Sequence, residues 1–215
     1  MKKLLTFSLV FLSVALFSQR YVFDNQCEIL EKQIKGIYPN LPPRKILYFY
    51  NSNDSNFIAY NFRPNEIHLY DYKLNSLKNL QIKNDEKKII FNLISESNFR
   101  NFPDEILIKK ISIENLADDL FLIKTFPSEK SKKNNLEIKI KLKKSITPLI
   151  RIHFMDLTVS IHNLIYNKLL EQLPNKNYQI ESIYLDYRNG VIVEEKISNC
   201  KPINLKFDLN FSEKK

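Results

Sequence analysis

Glycine is almost missing from this chain. There are two in 215 residues, alongside no tryptophan, two methionines, two cysteines and three histidines. Phosphate cradles, dinucleotide fingerprints and nucleophile elbows all need glycine where the backbone must approach a ligand closely, so none can be assembled here. Two cysteines and three scattered histidines give no metal-ligand spacing, and no pair of histidines stands four apart as a metalloprotease helix requires. Neither a metal nor a cofactor is implied. Asparagine is abundant instead and takes up part of glycine's work in turns, because it tolerates the left-handed region.

Long apolar runs are lacking too, with one exception. Lys2 and Lys3 precede an uncharged stretch from Leu4 to Phe17, and Ser18 and Gln19 follow it. That is the anatomy of a secretory signal peptide. Fourteen residues are too few to cross a bilayer, and no cysteine behind the run offers a lipid anchor. Residues 1–18 are therefore expected to be cleaved, leaving 19–215 as one domain without a transmembrane segment, periplasmic or secreted. In that compartment an even pair of cysteines reads as a disulfide, Cys27 to Cys200, near the two ends of the mature chain.

What is present is ordinary for a globular protein: 44% hydrophobic and 27% charged residues. The formal charge of +9 falls by two if Lys2 and Lys3 leave with the leader. Most of the excess lies in residues 129–151, where eight cations meet only Glu129 and Glu137.

The periodicity predicts an α+β fold, predominantly antiparallel sheet in hairpins and meanders, with about three amphipathic helices. The helices are placed over about 25–35 (Cys27, Leu30 and Ile34 on one face), 84–97 and 156–173. Aromatic and β-branched runs between Lys45 and Tyr72 predict a three-strand meander. Two hairpins can be registered by phase. A loop at Ser145–Thr147 pairs Leu142 with Ile150, and a loop at Arg188–Gly190 pairs Leu185 with Val193. A last strand follows Pro202. The order helix, hairpin, final strand, carried by YLDYRNGVIVEEKI and KPINLKFDLNF, looks like the C-terminal domain of TonB-type energy transducers over about 60 residues. The second helix of those domains is missing. The resemblance implies an envelope interaction domain of analogous fold.

Three groups of side chains carry candidate chemistry. In the first register one face of the basic hairpin holds Lys139, Lys141, Lys143, Arg151 and His153, with Lys141 opposite Arg151. Like charges so opposed call for an acidic neighbouring strand or an anionic partner. Without a recognition motif, specific nucleic-acid binding is not expected. The compact group His153, Asp156 and His162 is the only candidate for hydrolytic catalysis, and it needs an open cleft and convergent side chains. His162 falls on the apolar side of its helix, and neighbouring positive charge is expected to lower the pKa of His153. His68 shares a strand face with Glu66, Tyr70 and Tyr72. The balance leans away from an enzyme. It points to an exported binding or structural module that meets an anionic envelope component or another protein, with a small envelope hydrolase as the alternative.

Overall fold

The computed structural model describes residues 19–85, 88–98, 107–153, 157 and 159–209. Eleven strands form one antiparallel sheet. They are β1 (Gln19–Lys35), β2 (Arg44–Tyr50), β3 (Phe57–Arg63), β4 (Glu66–Asp71), β5 (Ser76–Asp85), β6 (Lys88–Asn98), β7 (Lys110–Ala117), β8 (Leu120–Phe126), β9 (Leu136–Lys144), β10 (Tyr178–Asp186) and β11 (Ile192–Leu209). Their order is β6-β5-β4-β3-β2-β1-β11-β10-β9-β8-β7. Within each half neighbours in sequence pair, β9 and β10 across a long connection and the others across shorter ones, and the two halves meet where β1 pairs with β11. The single helix among the described residues is α1 (Val159–Glu171).

This corrects the expectation of α+β architecture with about three helices. Residues 25–35 are strand. β1 buries Cys27 and Ile29 at alternate positions and is paired on both sides, by β2 and β11, while Leu30 and Ile34 of the supposed helical face are exposed. β11 pairs along most of its length and β2 along Asn25–Glu31, and that pairing outweighs a four-residue apolar spacing. Residues 84–97 fall, where described, in the β5–β6 hairpin. Phe91 and Leu93 pack inward, and Ile94 is the extra residue of a bulge opposite Asn79 and Leu80. The hairpin that carried the TonB-type resemblance is β10 and β11, an interior part of the eleven-strand sheet, and the final strand expected after Pro202 is a continuation of β11.

The basic hairpin is also corrected. β9 is already paired by β8 and β10, so Leu142 lies opposite Ile180, not Ile150. After Lys144 the chain leaves the sheet, and Pro148, which cannot donate to a ladder, precedes a crossing segment. Residues 149–153 are all buried beneath α1, tied to β10 by Leu149 N–H to Tyr178 O at 3.0 Å and Ile180 N–H to Leu149 O at 3.1 Å. Their alternating pattern is satisfied by burial and not by pairing.

Other features are as the sequence reads. The meander over 45–72 is β2, β3 and β4. Leu185 pairs with Val193 around a turn in which Gly190 takes φ 98°, the left-handed region where a side chain would be strained.

Two apolar clusters cover the two faces. The larger joins Tyr48, Ile58, Tyr60, Tyr70, Ile140 and Leu185 to Ile161, Ile165 and Leu169 of α1. The smaller takes the residues beside them on the same strands, Phe49, Ala59 and Leu69, and is closed by Phe23 and Phe207. The sheet curls so that Phe91 of β6 meets Phe207 of β11, ring centroids 4.1 Å apart. Tyr21 ties the start of β1 to the end of β4, its hydroxyl donating to Asp71 Oδ2 at 2.8 Å.

Cys27 and Cys200 lie at disulfide-bonding distance across the β1–β11 pair, with 173 residues of sequence separation. A link closing so long a loop stabilises chiefly by restricting the unfolded chain. Replacing both cysteines by alanine is expected to lower unfolding stability by about 2–5 kcal/mol, read from the urea midpoint. An unchanged midpoint would show that the staple contributes nothing.

Candidate functional site

The crossing segment decides where the polar groups go. The lysines of β9 alternate with buried Ile138, Ile140 and Leu142, so Lys139, Lys141 and Lys143 project from the face of the sheet away from α1. Arg151 lies on the other side, between sheet and helix. The predicted four-residue basic face is therefore divided. Lys141 sits opposite Leu120 and Ser182, not Arg151. Its ammonium group pairs with Glu181 at 3.1 Å, which raises its pKa, and Lys139 Nζ stands 5.5 Å from the ring centre of Tyr184. An acidic group and a π-face on the neighbouring strand relieve the repulsion that the sequence pattern implied.

Arg151 is only 6% exposed. Its guanidinium carbon lies 3.5 Å from the ring centre of Tyr72 and 4.5 Å from that of Tyr166. One of its terminal nitrogens donates to Asn163 Oδ1 on α1, and Nε is buried without a hydrogen-bond partner. Among the described residues no carboxylate stands within ion-pair distance of it. Burial pulls its pKa below the ordinary value. Desolvating such a cation costs several kcal/mol, against about 2 kcal/mol for each desolvated cation–π contact. Leaving the Nε donor unpaired adds about 1–3 kcal/mol of cost.

Arg151 lines a cleft of about 90 Å³ at one end of the sheet, shared with Tyr50, Asn53, Ser55, Tyr166 and Lys176. The loop after β2 builds one wall. Asp24 of β1 accepts from the Ser52 backbone at 2.8 Å, Asn51 Oδ1 accepts from the Asn53 and Asp54 amides at 2.8 and 2.9 Å, and Asp54 Oδ1 accepts from Asn56 N–H at 2.9 Å. These Asx turns do in this loop what glycine does elsewhere. They also occupy the nearby carboxylates with backbone amides, leaving Arg151 and Lys176 as the cations of the cleft.

His153 and His162 do come together, ring centroids 4.9 Å apart, with Tyr72 OH and His153 Nδ1 at 3.0 Å. Both histidines are buried, however, beneath α1 and against Tyr48, Tyr60, Tyr70 and Tyr72. Asp156 lies outside the described residues. Burial first, then the charges of His162 and Arg151, holds His153 well below the ordinary imidazole value of 6.5, so the sequence had the direction right and the larger cause wrong. A sealed, neutral imidazole has no access to substrate and does not meet the requirement of an open catalytic cleft. His68 Nδ1 lies 3.1 Å from Tyr60 OH at the border of the same aromatic set.

The chain matches no family model and no curated protein. What it does must be argued from its own geometry. Among the described residues no three His, Cys, Asp or Glu side chains gather to hold a metal, and no helix is long and apolar enough to cross a membrane. The sequence missed Arg151 as a buried group because its neighbours in register were read as strand partners. Pro148 was the available signal that the hairpin breaks.

The depressed pKa of His153 makes stability pH-dependent. Above about pH 6.5 both folded and unfolded chains keep this ring neutral, and below it the unfolded chain takes up a proton that the folded one refuses. Stability should therefore decline as pH falls from about 6.5 toward the folded pKa. Between about pH 7 and 5, His153→Gln should reduce the slope of unfolding free energy by up to about 1.4 kcal/mol per pH unit. Equal slopes in wild type and variant would sink this assignment.

Proposed function

We propose that this is an exported, non-enzymatic binding protein, periplasmic or secreted, that takes a small anionic group into the Arg151 cleft. The observation that carries the reading is a buried guanidinium lining an opening, with an unpaired Nε and, among the described residues, no acidic partner in reach. Two tyrosine faces and Asn163 fix the orientation of the guanidinium, and an incoming phosphate or carboxylate would supply the missing charge and acceptor. Lys176 at the same opening adds a second cation. The leader-like first eighteen residues and the cysteine pair support the exported compartment, because disulfides persist in oxidising surroundings. Such a ligand belongs to an anionic envelope component, in keeping with the basic excess of the chain.

A purely structural module is the second reading. Lys141–Glu181 and Lys139–Tyr184 favour it for the outer lysines, whose charge is already answered within the sheet.

Inorganic phosphate is a direct probe. At ten times its dissociation constant a bound ion adds about 1.4 kcal/mol, a rise of about 3–6 °C in melting temperature for a chain of this size. Phosphate at matched ionic strength against chloride should give that rise in wild type and in Lys141→Glu, and none in Arg151→Met. An equal response in Arg151→Met would exclude the cleft as the site, and no response in wild type would favour the structural module.

A further inference from the structure

The central hairpin ends in an apolar point. β1 and β2 are joined by residues 36–43, and the large side chains of that connection face solvent: Ile37 is 79% exposed, Tyr38 62% and Leu41 60%. Leu30 and Ile34 on β1 behind them are exposed as well. Single exposed apolar residues are ordinary, but three large ones within the five residues Ile37 to Leu41 of one connection mark a surface that meets something.

The tip is shaped in advance. Gly36 takes φ 139°, and a Cβ there would stand 2.7 Å from the Gln33 side chain, which instead accepts a hydrogen bond from Tyr38 N–H at 2.6 Å. Leu41 N–H donates to Tyr38 O at 3.3 Å, and Pro39, Pro42 and Pro43 fix three more backbone torsions. The apolar side chains are thus held outward by the backbone, so little ordering remains to be done on docking.

Charge sets the character of the partner. Residues 28–45 carry Lys32, Lys35, Arg44 and Lys45 against Glu28 and Glu31, and the neighbouring β11 sets Glu194 opposite Lys32 and Glu195 opposite Glu31. Both acids are engaged, Glu28 by Lys45 at 2.6 Å and Glu31 by Arg44 at 3.0 Å, whereas Lys35 lies opposite Ile192. The tip is therefore apolar at its extremity with Lys35 directly behind it, and the row Lys35, Ile192, Asp186, Glu137 places the β8–β9 connection, with Lys130, Lys132 and Lys133 against Glu129, at the same end of the sheet. We propose that it docks on an anionic lipid bilayer, with Ile37, Tyr38 and Leu41 entering the headgroup region and Lys35 at the level of the phosphates.

The order of side chains along the tip, apolar outermost, tyrosine among them and cations behind, follows the gradient from acyl chain to phosphate at a bilayer surface. A second copy of the chain is a poorer fit, because a two-fold contact would set one positive tip against another. The cleft lined by Arg151 lies at the other end of β2. Seven residues of strand separate the two ends, roughly 24 Å, so a docked molecule presents the cleft away from the membrane. This inference does not depend on the cleft binding an anion.

The test is co-sedimentation with vesicles, using the protein as the cell processes it. Wild type should bind vesicles of mixed phosphatidylglycerol and phosphatidylcholine and not vesicles of phosphatidylcholine alone, with affinity falling as salt rises. Ile37→Ser/Leu41→Ser should weaken binding about tenfold or more, and Lys35→Glu should weaken it and flatten the salt dependence. Melting temperatures should be unchanged, since these side chains are exposed. The proposal is overturned if wild type ignores anionic vesicles, if the double variant binds as well as wild type, or if light scattering shows the tip holding a dimer that the double variant dissociates.

Discussion

The pairing of β1 with β11 is the constraint on which the remaining architecture depends. It joins residues near the two ends of the described chain and sets both halves of the sheet side by side. Every other strand pair links neighbours in sequence, and among these only β9 and β10 are joined by a long connection, the crossing segment and α1. The β1–β11 pair alone closes a loop of most of the chain, and entropy opposes such closure most. The cysteine pair stands at that seam, and it restricts the unfolded chain where folding needs it. With the seam formed, the curled sheet has one face for α1 and the crossing segment and another for Phe23 and Phe207.

That arrangement explains the chemistry of the interior. The face under α1 carries a ladder of tyrosines, Tyr48, Tyr60 and Tyr70, stacked with centroid separations of 5.2 and 5.9 Å. Phenol rings bury large area while their hydroxyls need partners, and the two buried histidines and Arg151 sit among them. Burial keeps His153 neutral, and no catalytic role is needed to account for it. Arg151 differs because it cannot shed its charge. It meets two ring faces and one amide, and it borders an opening. The two histidines are therefore core, and the arginine is the group that asks for a partner.

Much of this was legible where local pattern and global fold agree. Alternating aromatics between Lys45 and Tyr72 gave the meander, Gly190 with its neighbours gave a turn of the right length, and an even pair of cysteines in a chain read as exported gave the staple. The misreadings share a cause. In β1 and β6 apolar residues three and four apart imitate a helical face, but a strand sends alternate residues to opposite faces. In β1 Cys27 and Ile29 point into the core, whereas Leu30 and Ile34, on the other face, are exposed. Around residues 142–153 the alternation was real but served burial beneath a helix. Only the pairing of β9 on both sides, a long-range property, could reveal that. The division of the basic residues between two faces followed from that one event.

The central proposal is that the Arg151 side chain receives an anion. Its Nε–H gives an isolated resonance in a ¹H–¹⁵N spectrum, assignable by comparison with Arg151→Met. Titration with inorganic phosphate should move that resonance saturably, along with the amides of Asn53 and Ser55, while Lys139 and Lys143 at the outer face stay in place. An Arg151 Nε signal that does not respond, or a response confined to the outer lysines, would contradict the account.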